Sequence, residues 1–393
     1  MLDSSEQDCA EPRLIIVHAT SVHVFTDNRI FFKMCRSAVA RNHDVHLLAQ
    51  SCHDRDEEAE IDGVHVHLFA RPKNRSHRVL LLGWRLFRHA RMRPAHVYHI
   101  HDPELIPFFL ILSFQGRRVI FDMHENLRVA ASRAWIPRAL RPLAGKLFNL
   151  MIDVSLRRFP VIFAETSYKS SFPSIKESVD ILNYPDLRDF PRDPLAMPKE
   201  TAIGYMGRLS EGRGILKILT ALRILKDRGE GVRFDCIGNT ALGSEQKKID
   251  EKIESLGIGD LCRFLGYKTP QEGYKVLGSC MVGIAVLEPH ENYVESYPTK
   301  LFEYMALGLP VVASNFPLYQ RIVEGEACGL CVDPSRPEEL ADAVLFLVKN
   351  RTAAAEMGLR GMAAVRERYS WKHEFEKLDR FYSKQITGIH PAG

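Results

Sequence analysis

The sequence predicts an α/β protein made of two Rossmann-like, doubly wound domains that face a cleft. Three observations support this prediction. The 393 residues suffice for two domains at about 100–200 residues each. Short runs rich in β-branched residues alternate with segments of helical periodicity, as in βαβ units with mainly parallel sheets. A proline-rich segment, residues 183–200, divides this alternation into two halves.

Composition excludes several classes of protein. Apolar residues make up 46% and charged residues 26%, which is ordinary for a globular protein. The apolar runs are shorter than the roughly 20 residues that span a bilayer. Residues 1–13 are acidic and polar, unlike a signal peptide, so we expect a cytoplasmic protein. The single CxxC pair, Cys328 and Cys331, lacks the other ligands of a zinc site and is expected to be reduced and structural.

The first domain is expected over residues 1–182. Its strand candidates are residues 13–18, 44–49, 64–69, 96–100, 118–123 and 160–165. Helical patterns lie between most of them. In such sheets ligands bind at the carboxyl ends of the strands, so residues that directly follow a strand are the first functional candidates.

One part of this domain is strongly basic. Residues 71–158 hold 17 Lys or Arg and 5 Asp or Glu, a net charge of +12. Residues 77–93 and 133–159 both read as amphipathic helices with arginine on one face, a pattern that binds anionic membrane surfaces. The alternative is a pair of domain helices whose outer faces are basic. Nucleic acid is not expected as a partner, because no nucleic-acid module accompanies the charge.

The segment 183–200 contains four prolines in 18 residues and is expected to be a linker. The second domain is expected over residues 201–369, followed by a terminal helix in 370–393 that could return to the first domain. Its strand candidates are residues 203–207, 233–238, 263–267, 282–287, 310–314 and 329–333, with helices at 337–349 and 352–368.

Two stretches of the second domain are candidates for binding an anionic ligand. In ESYPTKLFE, Glu295 and Glu303 flank the start of a helix, and Pro298 suits its first turn. The exposed N–H groups of such a helix end form a phosphate seat. In GYMGRLSEGRG, Arg208 and Arg213 lie on a glycine-containing loop and could hold a diphosphate. Neither a dinucleotide GxGxxG fingerprint nor a P-loop is present there.

Taken together and in this order, the two stretches resemble the retaining glycosyltransferases of family four, which have the GT-B fold. The first-domain segments VYHIHDPEL (97–105) and VIFDMHENL (119–127) are similar to that family's acceptor domain, although less specifically. The resemblance implies a nucleotide-diphosphate sugar as donor, retention of configuration, and a leaving phosphate that helps to deprotonate the acceptor.

The resemblance also implies roles for individual residues. Arg208 and Arg213, the latter in place of the more usual lysine, hold the diphosphate, and Glu303 holds the nucleotide ribose. Glu295 contacts the transferred sugar, and His124 holds the sugar near its anomeric carbon. Further donor contacts are expected from Gly207, Ser296, Thr299, Lys300 and Leu301. His101 and Asp102, which end the neighbouring strand, are acceptor candidates.

One segment departs from the family pattern. The loop expected after the first strand, ATSVHVFTDNRI, lacks the glycine pair at which the backbone usually approaches the phosphates. Asp27 and Arg29 are therefore candidates for contacting the acceptor or the donor through their side chains, and the sequence does not decide between the two.

No metal or other cofactor is expected. Asp54-Arg55-Asp56 spells the DxD motif of a different glycosyltransferase fold, where carboxylates bind a divalent cation. Here it lies in the polar run SCHDRDEEAE, which reads as a solvated loop. The expected acceptor is a lipid-linked sugar or saccharide at the cytoplasmic face of a membrane, on a path to cell-surface polysaccharide. Two alternatives remain open, a sugar-nucleotide epimerase on the same fold and a non-catalytic sugar-nucleotide-binding subunit.

Overall fold

The computed structural model describes residues 12–130 and 141–387, and they form two compact units. The first unit combines the chain up to Leu182 with the chain from Glu374 onward, and the second is Asn183–His373. The segment 183–200, expected as a linker, lies within the second unit. There Tyr184 is buried, with its ring centroid 4.7 Å from that of Phe302.

The first unit contains an eight-stranded sheet. Its strands are β1 Ile15–Val24, β2 Asp44–Gln50, β3 Glu57–Ile61, β4 Val64–Phe69, β5 Val97–Ile100, β6 Val119–Met123, β7 Val161–Phe163 and β8 Ser178–Asp180. The spatial order is β3-β4-β2-β1-β5-β6-β7-β8, and only β3 pairs antiparallel. The chain order reverses direction at β1, which lies between β2 and β5. The predicted α/β class with parallel sheets is confirmed.

Two predicted loops are in part strands. Strand β1 continues to Val24, through the first half of the expected glycine-free loop. Strand β3 occupies the second half of the polar run that was expected to be a solvated loop. Its charged sequence gives little strand signal, but the turn Asp62-Gly63, with φ of 52° and 76°, folds it back on β4 as a hairpin. Asp54-Arg55-Asp56, just before β3, is exposed.

Helices cover both faces of this sheet. They are a π-helix Asn28–Cys35, α1 Arg36–Ala40, a π-helix His77–Leu82, α2 Gly83–Arg91, α3 Ile106–Phe114, α4 Leu127–Ala130 and α5 Arg141–Leu156, with 3₁₀ turns Pro103–Leu105 and Thr166–Ser171. The segment predicted as a helix at 77–93 is therefore helical over most of its length. Of the predicted helix at 133–159, residues 133–140 lie outside the described residues and Arg141–Leu156 is helical.

The second unit contains a six-stranded parallel sheet. Its strands are β9 Ala202–Met206, β10 Arg233–Ile237, β11 Cys262–Phe264, β12 Val282–Ala285, β13 Val311–Ser314 and β14 Gly329–Val332. The spatial order β11-β10-β9-β12-β13-β14 is the Rossmann order 3-2-1-4-5-6. The order reverses between β9 and β12, and ligands of such sheets bind beyond the carboxyl ends of the strands at that point.

The helices of this unit include the two that were predicted with bounds, at 337–349 and 352–368. They are α6 Ile215–Asp227, α7 Gly243–Leu256, α8 Pro270–Ser279, α9 Glu291–Val294, α10 Thr299–Ala306, α11 Pro317–Val323, α12 Pro337–Lys349 and α13 Arg351–Glu367, with 3₁₀ turns Leu187–Asp189, Pro194–Ala196, Glu211–Arg213 and Gly259–Leu261. Cys328 and Cys331 are unpaired thiols. Among the described residues, no helix has the length and apolar character to cross a membrane.

The last helix, α14 Trp371–Thr387, continues from the second unit into the first. Within the first unit the Glu374 carboxylate accepts the Leu182 N–H at 2.7 Å, and Tyr382 Oη lies 2.7 Å from His99 Nδ1. His43 Nδ1 accepts the Leu14 N–H, so its Nε2 is the nitrogen that donates to Asp379, at 2.8 Å. The first unit is therefore built from both ends of the described chain.

Candidate functional site

At the carboxyl end of β9, two glycines shape the loop. Gly207 has φ 137°, and a Cβ built there would lie 3.7 Å from Arg213 Nη1 and 3.8 Å from Lys300 Nζ. Gly214, with φ 74°, starts α6, and a Cβ there would lie 2.1 Å from the Val286 carbonyl oxygen, so only glycine fits. The loop thus brings two cationic side chains beside bare backbone at the point where the strand order reverses.

Lys300 is the distinctive member of this site. Its side chain is buried, with Nζ 3.9 Å from the centroid of the Tyr205 ring, yet Nζ has no hydrogen-bond partner among the described residues. Burial, with a smaller contribution from Arg213, lowers the pKa of Lys300 to about 7. Leaving a buried ammonium without a hydrogen-bond partner costs free energy. Because a bound anion would supply that partner, Lys300 is a candidate for binding an anionic ligand.

The start of α10 adds a second attraction for an anion. Pro298 occupies the N-cap and contributes no side-chain hydrogen bond, so the helix end is not closed by a capping side chain. Lys300 is the second residue of this helix. A ligand phosphate here would meet both the ammonium and the positive end of the helix dipole.

Glu303 lies one turn further along α10. The Tyr274 hydroxyl donates to Glu303 Oε1 at 3.1 Å, and the Tyr274 ring stacks on Phe190 with centroids 4.0 Å apart. A carboxylate held in this way can accept hydrogen bonds from hydroxyl groups of a ligand. The neighbouring aromatic rings can pack against a planar ring of the same ligand.

The other residues expected at this site have varied positions. Arg208 is exposed on the loop after β9, and Glu295 is exposed in the turn between α9 and α10, followed by half-buried Ser296. Thr299 is half-buried at the start of α10. Leu301 is a core residue: its side chain is fully buried, and its N–H donates to the Pro298 carbonyl at 3.0 Å.

The first unit has a second candidate site, at the carboxyl ends of β5 and β6, centred on Asp122. Both carboxylate oxygens of this fully buried residue accept from Arg29, Oδ2 from Nε and Oδ1 from Nη2, each at 3.0 Å. Asp122 Oδ2 also lies 3.0 Å from His124 Nε2 and 3.3 Å from His101 Nδ1. Although burial alone raises the pKa of Asp122, Arg29 and these rings hold it well below its usual value.

This carboxylate orients the histidines around it. An ionised carboxylate only accepts, so His124 Nε2–H donates to Asp122, and in the neutral ring Nδ1 is left as an acceptor. Burial lowers the pKa of His101 to about 3, so its ring is neutral, with Nδ1–H towards Asp122. Its Nε2 then accepts from His18 Nδ1 at 3.0 Å. His18 Nε2 has no partner in the described chain, as expected for the nitrogen without a proton.

The other acceptor candidates bind the second half of β1 and the residues that follow it. Asp102 Oδ2 accepts from the Thr20 hydroxyl and the Ser21 N–H, both at 2.7 Å. Asp27 Oδ1 caps the following helix by accepting the N–H groups of Arg29 and Ile30 at 2.8 and 2.9 Å. These side chains and the Arg29 guanidinium thus make intramolecular bonds that position His124 and its surroundings.

Sequence reasoning missed Asp122, the hub of this site. The only signal was an aspartate inside the apolar run VIFDM, where a charge is exceptional unless it is paired. Sequence reasoning also did not anticipate that Lys300 would be buried without a partner.

In the described part of the chain, three groups of side chains have the donor types and spacing to hold a metal ion, each with ligand atoms within 4.8 Å of one another. They are His18, His99 and His101; Glu58, His67 and His89; and His101, Asp122 and His124. In the third group the Arg29 guanidinium already binds the carboxylate, so the protein itself supplies the positive charge there.

Comparison with known families covers most of the chain. The family described as Glycosyl transferases group 1 matches residues 188–362, and the Glycosyl transferase 4-like domain matches residues 28–167. The two matches cover the second and the first unit in turn.

Three curated relatives illustrate the similarity. A D-inositol 3-phosphate glycosyltransferase of Corynebacterium jeikeium is 31% identical over 51% of this chain and 47% of its own. A phosphatidyl-myo-inositol mannosyltransferase of Mycobacterium leprae is 24% identical over 74% of each chain. A putative colanic acid biosynthesis glycosyltransferase, WcaL of Escherichia coli, is 26% identical over 62% of this chain and 57% of its own. The chain spans about half the length of the first curated relatives that it matches.

Solved structures share the fold over nearly the whole chain. Sucrose-phosphate synthase of Thermosynechococcus elongatus superposes with a TM-score of 0.75 at 17% identity, covering 96% of this chain and 100% of its own. Anabaena Alr3699/HepE, solved in complex with UDP-glucose, gives 0.70 at 16% identity, covering 95% and 100%. At such identities the likeness shows the fold, which is GT-B. Glycosyltransferase family models thus match both units, and residues 188–362 match the group 1 glycosyltransferases that the loop and helix-start motifs of this unit led us to expect.

Proposed function

We propose that the protein transfers a sugar, with retention of configuration, from a nucleotide-diphosphate sugar to a lipid-linked saccharide acceptor. The observation that carries the proposal is the buried Lys300 ammonium, which has no hydrogen-bond partner in residues 12–130 and 141–387 and lies beside Arg213 and the bare backbone of Gly207. A diphosphate placed there would neutralise an otherwise costly buried charge.

The chemistry requires the sugar–phosphate bond to break, so negative charge develops on the departing diphosphate. In this proposal Arg208, Arg213 and Lys300, together with the start of α10, would stabilise that charge, and the proximity of Arg213 and Lys300 to Gly207 supports it. Glu303 would accept from the ribose hydroxyls, and Glu295 would contact the transferred sugar. We expect the reaction to proceed without a metal ion.

The first unit would contribute His124 to the sugar. Asp122 fixes the ring, so that in the neutral form Nδ1 is an acceptor for a sugar hydroxyl. A ring held by a buried, ion-paired carboxylate keeps its orientation without help from the substrate, which is the preorganisation that transition-state stabilisation requires.

Attachment to an anionic membrane surface is the second part of the proposal. Helix α3 packs against both α2 and α5. These helices, and the π-helix His77–Leu82 that precedes α2, expose large apolar side chains in a surface that also carries arginines. Leu80 is 65% exposed and Phe114 is 64% exposed, while Trp84 is about half exposed. Apolar side chains set in a basic surface suit insertion at a lipid headgroup layer. The name of the Mycobacterium leprae relative, a phosphatidyl-myo-inositol mannosyltransferase, is in line with a lipid acceptor. We place the protein at the cytoplasmic face, in polysaccharide or glycolipid synthesis.

The donor half is tested with a panel of nucleotide sugars, including UDP-glucose and GDP-mannose. Binding is measured by thermal shift and turnover by release of the nucleotide diphosphate. We expect at least one donor to bind and be turned over, and Lys300→Met to weaken binding and to lower turnover about 10²–10³-fold. The matched control is Lys247→Met, which removes an exposed lysine on α7. Equal loss in both variants, or no binding by any donor, would contradict the proposal.

Product analysis separates the alternatives. Transfer to an added acceptor with the donor's anomeric configuration supports a retaining transferase. Conversion of the donor to an isomer without acceptor would indicate an epimerase. Tight donor binding with no turnover would indicate a non-catalytic subunit.

The membrane half is tested by co-sedimentation with vesicles of phosphatidylcholine and phosphatidylglycerol. The double variant Leu81→Ser, Trp84→Ser should weaken binding at least about tenfold, because each side chain loses its burial in lipid. Leu242→Ser, at an exposed apolar position of the second unit, is the control. An unchanged double variant would reject this surface.

A further inference from the structure

A cavity of about 410 Å³ opens in the first unit beyond the ends of β1, β2 and β4. Its lining includes Val24 and Gln50, the last residues of β1 and β2, and the turn that follows β4. It therefore lies at the ligand-binding edge of this sheet. None of the candidate residues chosen from the sequence lines it.

Several hydrogen-bond donors line the cavity. Arg71, Asn74 and Arg78 all line it, and its lining holds no acidic residue. Within the described residues the Arg71 side chain makes no hydrogen bond or ion pair. Asn74 Oδ1 accepts the His77 N–H at 2.9 Å, which turns the amide NH₂ away from that backbone. Ser51 Oγ accepts the His53 N–H at 2.9 Å, so its hydroxyl proton remains to be donated.

The second arginine is held rigidly. Arg78 donates from Nε and Nη2 to the Glu104 carboxylate at 2.9 and 3.2 Å, and Glu104 also accepts the Ser21 hydroxyl at 2.7 Å. Ser21 donates its N–H to Asp102. The charge of Arg78 is therefore balanced by Glu104, which leaves Arg71 as the uncompensated cation of the wall.

One strand connects the cavity wall with the candidate sugar-binding histidine. Val24, in the wall, follows His23 in β1, and the His23 ring centroid lies 5.1 Å from that of His124. The cavity wall and a residue beside His124 therefore belong to the same end of β1.

We propose that this cavity binds a phosphate group of the acceptor, with Arg71 as its main charged contact. The inference rests on the proposed function, since it names the chemical class of the acceptor. A guanidinium fork binds a phosphate through two parallel hydrogen bonds, and the Asn74 amide and Ser51 hydroxyl can supply further donors. The phosphate can belong to a soluble ester or to a lipid headgroup, because the recognised chemistry is the same.

The test is direct binding to the full chain by isothermal titration. The soluble probe is glycerol 1-phosphate with glycerol as its uncharged counterpart, and the lipid probe is phosphatidic acid in phosphatidylcholine vesicles. We expect Arg71→Gln to weaken binding of at least one phosphate probe about tenfold or more, and glycerol not to bind. Arg41→Gln, at an exposed arginine outside the cavity, is the matched control for net charge.

The pattern of results identifies the source of the phosphate. A loss confined to glycerol 1-phosphate indicates a soluble ester, and one confined to the vesicles indicates a lipid headgroup. If neither probe binds the wild type, or if Arg71→Gln and Arg41→Gln bind both probes alike, the proposal is overturned.

A separate measurement distinguishes effects on the cavity from effects on the donor site. UDP binding is followed on the same variants and should be unchanged in Arg71→Gln but lost in Arg213→Gln. Failure of the Arg213 arm alone would count against the proposed function, and failure of the Arg71 arm alone would count against this cavity.

Discussion

The two units treat buried charge in opposite ways. In the first unit, Asp122 is fully buried but bonded to Arg29 through both oxygens, with two histidines completing its contacts. In the second, Lys300 is buried with its ammonium unpartnered within the described chain. A satisfied buried pair holds neighbouring groups in place, whereas an unsatisfied buried charge marks where a ligand of opposite charge belongs. The site around Asp122 thus holds other side chains in place, and we call it the positioning site. The site around Lys300 is suited to bind a ligand, and we call it the receptor site.

The largest expected effect comes from breaking the paired site. Asp122→Asn removes the charge opposite Arg29 and should lower the free energy of unfolding by about 3–5 kcal/mol, since it leaves a buried guanidinium uncompensated. Urea unfolding measures this change. Asp153→Asn, which breaks the more exposed Arg128 pair, is the control and should cost less than about 1 kcal/mol. Similar losses in the two variants would erase the contrast between the sites.

The next effect comes from the unpaired site, and it should appear in activity and not in stability. Lys300→Met should lower turnover of the nucleotide sugar about 10²–10³-fold, as loss of one preorganised transition-state contact does. The free energy of unfolding should stay the same or rise, because an apolar side chain of similar length removes a desolvation penalty. The assay pairs turnover with urea unfolding. A Lys300→Met variant that is less stable than wild type would show that Lys300 serves the fold.

The smallest effect is a pH dependence of donor binding. Burial first, and then Arg213, lowers the pKa of Lys300 to about 7, with Glu303 opposing them. A bound diphosphate raises that pKa again, so binding takes up a proton above about pH 7. Affinity for UDP-glucose, whose phosphates do not titrate in this range, should therefore fall as the pH rises from about 7 to 9.

Proton uptake is measured by titration calorimetry in buffers of different ionisation enthalpy. In Lys300→Met both the uptake and the slope should vanish. A slope that persists in this variant would assign the titration to another group.

The two sites also differ in how far the sequence predicted them. The receptor site is formed by two short segments of the sequence. In one of them, Glu295 to Glu303, the residues Pro298 and Thr299 indicated the start of a helix. Its loop glycines were visible as well. The sequence did not reveal that Lys300 lacks a partner, because burial depends on the packing of Tyr205 from a distant strand.

The positioning site depends on contacts far apart in the chain. Arg29 and Asp122 are separated by 93 residues, and no local pattern pairs them. For the same reason Arg29 was expected to reach a substrate, whereas the structure directs it to Asp122. Strand β3 escaped prediction because its pairing with β4, and not its composition, makes it a strand. Helix α12, with a strong period and a proline at its start, was predicted to the residue.

The contacts of α14 have a consequence for how the protein is made. The ribosome synthesises the chain from its amino end. His43 therefore emerges long before its partner Asp379, and His99 long before its partner Tyr382. The first unit cannot complete its interior until α14 has been synthesised, although the second unit can fold before that. A message cut short before the last helix would therefore yield a chain with two buried histidines unmatched, a substrate for chaperones and proteases.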